Sequence, residues 1–261
     1  MTKELYAVLV KTSTFGPIAT FVPYSTVSAN TYPLPPPTTL VGALAYAYLR
    51  SRNNFRELAG DGASLASELI KSHAVLYAVA GVDEPFTIIQ TTERVYQHIY
   101  LRAEHRKRID MAYTVGVRSG TILKNLYMFF ITYDSELAKY CYAITRVGRK
   151  ESLVAVENVE ITPLSRAITE SRYCETYFYF PLSIAEEYGP PGMWIQIEMP
   201  TLVQENFAKR GVVTEKFVVP KPFTLTRATV RLNESGVVLK VRSGDKVFEI
   251  PVPRSIVEAG R

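Results

Sequence analysis

Apolar residues in the first part of this chain switch twice from a strand-like pattern to a helical one and back, and that double switch points to layered α/β packing. Leu5 to Thr14 is β-rich and partly alternating, with Leu5, Ala7 and Leu9 against Tyr6, Val8 and Val10. Both faces are apolar, as expected of a central strand packed under helices. A Pro-, Ser-, Thr- and Tyr-rich loop follows and ends at Pro35-Pro36-Pro37, which fixes the chain ahead of a helix. Leu40, Val41, Leu44, Ala45, Tyr48 and Leu49 then recur at helical spacing. Thr38 or Thr39 is placed to cap this helix, and Arg50 falls in its last turn. A second helical stretch is expected over roughly Phe55 to Lys71, broken near Gly60-Asp61-Gly62. His73 to Ala80 reads as a strand, ended by Gly81-Val82-Asp83.

Glu84 to Gly120 has poor periodicity and many charges, and reads as an insertion containing a hairpin or a short helix. Thr121 to Tyr133 reads as a buried strand with apolar residues on both faces. Asp134 or Ser135 is placed as an N-cap, and Leu137, Cys141, Ile144 and Val147 form one helical face up to a C-terminal Gly148. Ser152 to Ile161 is the next strand. Strand, helix, strand, insertion, strand, helix, strand is the ferredoxin-like order of an α+β fold. Beyond about Pro163 the character changes. Tyr173 to Phe180, Trp194 to Met199, Phe217 to Val219, Thr224 to Leu232, Gly236 to Val241 and Val247 to Val252 are short strand candidates between Pro and Gly. The expected organisation is an α/β domain over 1–163 and a smaller, mostly antiparallel β domain over 164–261.

Hydrophobic residues make up 47% of the 261 residues, which excludes general disorder. Two cysteines, Cys141 and Cys174, without a CxxC argue against a disulfide framework or a zinc site and suit a reducing cytosol. The apolar run Leu40 to Leu49 is too short to span a bilayer, and Met1-Thr2-Lys3-Glu4 leads directly into a strand. A cytoplasmic location and no membrane partner are expected. Catalytic signals are weak. His73, His98 and His105 show no metal-ligand spacing, and there is no Walker loop, GxSxG elbow or deaminase pattern, so no cofactor is implied.

Three segments could hold an anion. Leu101 to Arg108 carries four cations (Arg102, Arg106, Lys107, Arg108) and one anion (Glu104), a net +3 against +5 for the whole chain. Arg94 and Arg118 flank it, and Tyr96, Tyr100 and Tyr113 could stack on unpaired bases. The same segment would equally serve as a solvated face or a protein-docking loop. His105 within it could contact phosphate or act as a general acid in RNA cleavage. In Arg146-Val147-Gly148-Arg149-Lys150-Glu151-Ser152 the glycine lets backbone approach a ligand, Arg149 and Lys150 offer phosphate donors, and Ser152 offers a small hydroxyl. A plain helix C-cap is the alternative. The third segment is the start of the first helix, where Thr38, Thr39 and Gly42 stand near free amides that suit a phosphate. A rigid loop feeding a buried helix is the alternative there.

Taken together, two of these segments resemble one family. Tyr-x-Leu-Pro-Pro-Pro-Thr-Thr-Leu-Val-Gly-Ala-Leu-Ala-Tyr at Tyr32 to Tyr46 is similar to the proline-rich approach and first helix of Cas-five proteins. Val-Gly-Arg-Lys-Glu-Ser-Leu-Val at Val147 to Val154 resembles the loop those proteins carry between the second helix and the fourth strand. The resemblance covers roughly residues 1 to 163 and points to the archaeal type I-A CRISPR branch. It implies a member of the repeat-associated RNA-binding (RAMP) superfamily, with a ferredoxin-like fold and a thumb inserted at Glu84 to Gly120. It implies a Cascade subunit that grips the five-prime handle of a CRISPR RNA (crRNA). It also implies contact with a Cas-seven backbone subunit, a Cas-eight large subunit and a small subunit, and a helicase-nuclease recruited to the complex. One branch of the family is a metal-independent endoribonuclease using tyrosine, lysine and histidine, which no motif places here, so no catalysis is expected. An RNA-processing nuclease and a protein-protein scaffold without RNA contact remain the two rival readings.

Overall fold

The computed structural model describes residues 4–20, 22, 28–60, 62–72, 74–96, 113–207, 212–224 and 227–259, with backbone alone at 28–29, 93–96 and 113–115. Strand β1 (Tyr6–Thr14) and the short β2 (Ser28–Ala29) precede helix α1 (Pro37–Ser51). A five-residue α2 (Ser67–Lys71) leads into β3 (Val75–Gly81), β4 (Thr87–Tyr96), β5 (Tyr113–Ile122) and β6 (Asn125–Thr132). Then come α3 (Ser135–Lys139) and β7 (Val154–Pro163). The remainder holds α4 (Leu164–Ala167), β8 (Ile168–Thr169), β9 (Tyr173–Thr176), β10 (Phe180–Pro181), β11 (Ala185–Gly189) and β12 (Trp194–Pro200). It ends with β13 (Thr214–Pro220), β14 (Ala228–Leu232), β15 (Gly236–Ser243), β16 (Lys246–Pro253) and α5 (Arg254–Glu258). The fold is mixed α/β with mostly antiparallel sheets; the one parallel strand pairing among the described residues joins β2 to β5.

The central sheet has the order β3-β6-β1-β7, and every neighbouring pair in it is antiparallel. Sequence pattern explains its position. Leu126, Tyr127, Met128, Phe129, Phe130 and Ile131 are all buried, so β6 is covered on both faces. Helix α1 lies against β3 and buries Leu40, Val41, Leu44 and Ala47. The opposite face is covered by the C-terminal strands, not by further helices as the two-faced pattern of β1 suggested. Tyr127 and Phe129 meet that side, with Tyr127 4.7 Å from Phe248 and Phe129 6.4 Å from Phe178 between ring centroids. Phe178 and Tyr177 pack edge-on to the same Phe248 ring. One core therefore draws residues from both sides of position 163, and a second, smaller cluster around Phe180, Trp194, Val218 and Val230 belongs to the C-terminal strands alone.

The insertion expected at Glu84 to Gly120 is a long hairpin. β4 and β5 pair in register from Thr87 with Ile122 to Tyr96 with Tyr113. The run expected as one strand over Thr121 to Tyr133 is thus the end of β5, a turn at Leu123-Lys124, and β6. Three further expectations are corrected. Pro36 is the N-cap of α1 and Pro37 its first residue, so neither threonine caps it: the proline ring sets the first helical φ and has no N–H to leave unpaired. Among the described residues of the second helical stretch, only Ser67–Lys71 is helical. The helix expected to run to Gly148 stops at Lys139, passes through a 3-10 turn at Tyr140–Ala143, and is extended at Ile144, although Leu137, Cys141, Ile144 and Val147 are all buried as their spacing suggested. Its N-cap is Asp134, whose side chain accepts from the Glu136 amide at 2.9 Å. Among the described residues no helix is long and apolar enough to cross a membrane.

Replacing Phe248 by Ala removes the ring shared by the sheet and the C-terminal strands. The expected cost is about 3–5 kcal/mol, read by urea unfolding followed at both tyrosine fluorescence and far-UV circular dichroism. Because the core is shared, the two probes should still move together at a lower midpoint.

Candidate nucleic-acid interface

The geometry starts at Gly148. Its φ is +88°, and a Cβ there would collide with the carbonyl oxygen of Ala19. The Arg149 amide donates to that same carbonyl at 3.0 Å. Ser152 fixes the neighbouring bonds: its hydroxyl donates to the Pro17 carbonyl at 3.0 Å and accepts from the Ala19 amide at 2.9 Å. The loop itself is closed by the Val147 amide on the Ser152 carbonyl and the Ser152 amide on the Arg149 carbonyl, both at 3.0 Å. Gly148 is thus a close-approach glycine inside a tight loop, not the helix C-cap considered above. Residues 17–19 are held from their other side as well, where Ile18 exchanges both backbone hydrogen bonds with Thr121 of β5.

Helix α1 supplies the facing wall. Tyr179, fully buried, donates to the Pro35 carbonyl at 2.9 Å and anchors the proline run at the head of the helix. Burial raises the Tyr179 hydroxyl well above its ordinary pKa, so it stays a donor. The half-buried stripe Thr39, Gly42 and Tyr46 then faces Ala19, Thr20, Arg146, Gly148 and Arg149 across a cleft of about 390 Å³. A smaller hollow of about 110 Å³ continues past Gly42, Tyr46 and Arg146 to Arg50, Asn54, Arg56 and Glu57. Past Ala19 and Arg149 a third hollow of about 190 Å³ reaches the base of the hairpin at Ile89, Thr91, Arg118 and Ser119. The three hollows share lining residues and form one trough.

Cations dominate this trough. Arg146 donates to Glu57 at 3.0 Å and lies 4.0 Å above the Tyr46 ring; Arg118 is paired with Glu151 at 3.8 Å. Arg50, Arg56 and Arg149 have no carboxylate partner among the described residues. Burial pushes the thiols of Cys141 and Cys174 up to about 12, so both remain protonated and unreactive near neutral pH. Among the described residues no group of three or more His, Cys, Asp or Glu side chains could hold a metal ion.

Of the residues singled out from sequence, Thr39, Gly42, Arg146, Gly148 and Arg149 come together in the cleft, and Arg118 and Ser152 line the adjoining hollow. Ser152 has a different task from the one expected, since its hydroxyl is engaged by residues 17 and 19 and is fully buried. Thr38 is half-buried in the first turn and Lys150 is exposed at the loop tip; neither lines the trough. Arg94 is placed by backbone only, and Arg102, His105, Arg106, Lys107 and Arg108 lie outside the described residues. Sequence reasoning missed Tyr46, Arg50, Arg56 and Thr91. For two of them a signal was present: Thr39, Gly42, Tyr46 and Arg50 recur every three or four positions on the side of α1 opposite Leu40, Val41, Leu44 and Ala47.

Two proteins of Saccharolobus solfataricus are similar to this chain. The CRISPR system aCascade subunit Cas5 1 is 31% identical over 153 residues, which is 56% of this chain and 60% of that protein. The CRISPR-associated protein Cas5 3 is 32% identical over 153 residues with the same coverage. Over that stretch the chain is similar to Cas5 proteins of CRISPR systems. The match spans 60% of the length of these curated Cas5 relatives. No protein-family model matches the chain. In fold it is similar to a CRISPR protein from Archaeoglobus fulgidus, with a TM-score of 0.53 and 17% identity, covering 94% of this chain and 98% of that one. A chain of a CRISPR RNA-guided surveillance complex gives a TM-score of 0.50 at 15% identity, covering 84% and 95%.

The two glycines of the trough should respond oppositely to alanine. Gly148→Ala forces a left-handed side chain against Ala19 and should lower stability by about 2 kcal/mol or more. A Cβ at Gly42 meets nothing within 4 Å, so Gly42→Ala should raise stability by roughly 0.5–1 kcal/mol. Paired denaturant melts read both signs.

Proposed function

We propose that this chain is a non-catalytic subunit of a CRISPR Cascade complex that holds the five-prime handle of a crRNA in the trough between α1, the Gly148 loop and the base of the β4–β5 hairpin. The observation that carries this reading is the continuity of the trough together with the uncompensated charge of Arg50, Arg56 and Arg149. Guanidinium groups without carboxylate partners gain most from phosphates, which release condensed counterions when neutralised. The open face of Gly42 supports the reading too: among the described residues no neighbouring element comes within 4 Å of the space that a Cβ would fill. The likeness to Cas5 proteins and to a chain of an RNA-guided surveillance complex agrees with it.

In this reading the β3-β6-β1-β7 sheet with α1 and α3 is a ferredoxin-like unit of the RAMP type, and the β4–β5 hairpin is its thumb. Residues 1–163 carry the RNA, and residues 164–261 buttress the sheet from behind. The bound handle orders assembly of a Cas-seven backbone, with a Cas-eight large subunit, a small subunit and a recruited helicase-nuclease as further partners. Target sequence is read by base pairing of the guide, and the chain contributes position alone. The charged side chains of the trough are mainly arginines, whose guanidinium groups donate hydrogen bonds and have no lone pair to accept one.

Titration of the purified chain with fluorescent single-stranded RNA, repeated across salt concentrations, tests this. The observed association constant should fall linearly with salt on logarithmic axes, and Arg149→Ala should weaken binding and lower the slope by about 0.7, one phosphate contact. Binding that ignores salt, or no binding at all, overturns the reading. A specific cut in repeat RNA made in the presence of chelator and lost in His105→Ala would instead establish the nuclease.

A further inference from the structure

One exposed aromatic ring stands beside the trough, between Asn54 and Arg56, which line its smallest hollow. Phe55 is 63% exposed. The Arg50 guanidinium lies 4.9 Å from the centroid of the Phe55 ring and 4.9 Å from that of Tyr46, while Arg146 lies 4.0 Å over Tyr46. Arg50 thus joins the Phe55 ring to the Tyr46 ring, and Tyr46 and Arg146 line both the smallest hollow and the cleft. The backbone fixes Phe55 where it stands. α1 closes at Ser51, Asn53 turns the chain with φ of 56°, and the Asn54 amide returns to the Leu49 carbonyl at 2.9 Å. The next residue is thereby folded back beside the last turn of the helix.

We propose that Phe55 is a stacking platform for one unpaired nucleobase of the RNA strand that leaves the trough. The inference rests on the RNA-binding reading above. A large ring held open to water costs free energy that a flat apolar partner recovers, and a base offers such a face whatever its sequence. The neighbouring cations decide between partners. An apolar protein surface laid on Phe55 would also dehydrate Arg50 and Arg56 without pairing them. A nucleotide covers the ring with its base and brings a phosphate to those guanidiniums. Arg50 lies within cation–π distance of both rings and serves as the positioning residue between them.

The full chain would be titrated with three probes of equal length: single-stranded oligoadenylate, oligouridylate, and an abasic ribose-phosphate strand. Phe55→Ala should weaken both RNAs by about tenfold, leave the salt slope unchanged because no charge is lost, and leave the abasic strand bound as before. Phe55→Trp should restore RNA affinity. Thermal melting of both variants should match the parent, since the ring is exposed. RNA affinity unchanged in Phe55→Ala overturns the proposal while the RNA-binding reading stands. So does an equal loss on the abasic strand, and so does a defect confined to assembly with a protein partner. Failure of the parent chain to bind any of the three probes overturns the platform and the RNA-binding reading together.

Discussion

The Gly148 backbone lies against the Ala19 carbonyl, and that approach decides where the trough runs. Any side chain at position 148 would push the loop away from residues 17–19. The Arg149 amide would then lose its acceptor, and the Ser152 hydroxyl would lose its two partners. Because Ile18 is bonded to Thr121, the same contact also sets the base of the β4–β5 hairpin relative to the loop. A single left-handed residue therefore registers three elements that are distant in sequence, and the cations at positions 118, 146 and 149 face one space as a result.

The other wall depends on the C-terminal strands, although among the described residues none beyond position 163 lines the trough. Tyr179 reaches through the core to the Pro35 carbonyl, so the start of α1 is held by a residue from beyond position 163. The far face of the central sheet is closed by Phe178 and Phe248 against Phe129 and Tyr127. Asp83, at the root of the hairpin, accepts from Tyr127 at 3.0 Å and is paired with Lys246 at the tip of the β15–β16 turn. Hairpin, sheet and C-terminal strands are thus coupled through a carboxylate whose side chain is 4% exposed. Burial and this neighbouring carboxylate both raise the Tyr127 hydroxyl above its ordinary range, so the tyrosine remains the donor in that pair.

Long-period signals were legible in the sequence and close-approach signals only in part. The two-faced apolar runs of β1 and β6, the stripe of α1, a cap at Asp134 or Ser135 and the β-rich remainder all follow from local spacing. The helix boundary at Lys139 was not legible, because Leu137, Cys141, Ile144 and Val147 keep helical spacing while a 3-10 turn and an extended segment carry the last two inward by other means. The sequence leaves the insertion open between a hairpin and a short helix, because β4 and β5 carry no unbroken hydrophobic period to count. The site was half legible. Gly148 could be flagged as a place where backbone comes close, but that its neighbour is Ala19 is a tertiary fact. Ser152 looked like a ligand donor and is instead the bolt that holds the 17–19 segment, since nothing local distinguishes a hydroxyl that meets a ligand from one that meets a distant carbonyl.

The way the arginines are held bears on what the trough can do. Arg50 is steadied by aromatic rings instead of carboxylates, and Arg146 by a ring as well as Glu57. A carboxylate partner would fix the side chain and cancel its charge. A ring fixes it and leaves the charge available, because the attraction is to the quadrupole of the π face. A surface that orders guanidiniums in this manner has already met part of the entropy cost of immobilising long side chains before a ligand arrives. It offers an anionic strand a preset row of donors together with flat apolar faces between them. That pairing of fixed donors and flat faces is complementary to an unpaired polyanion.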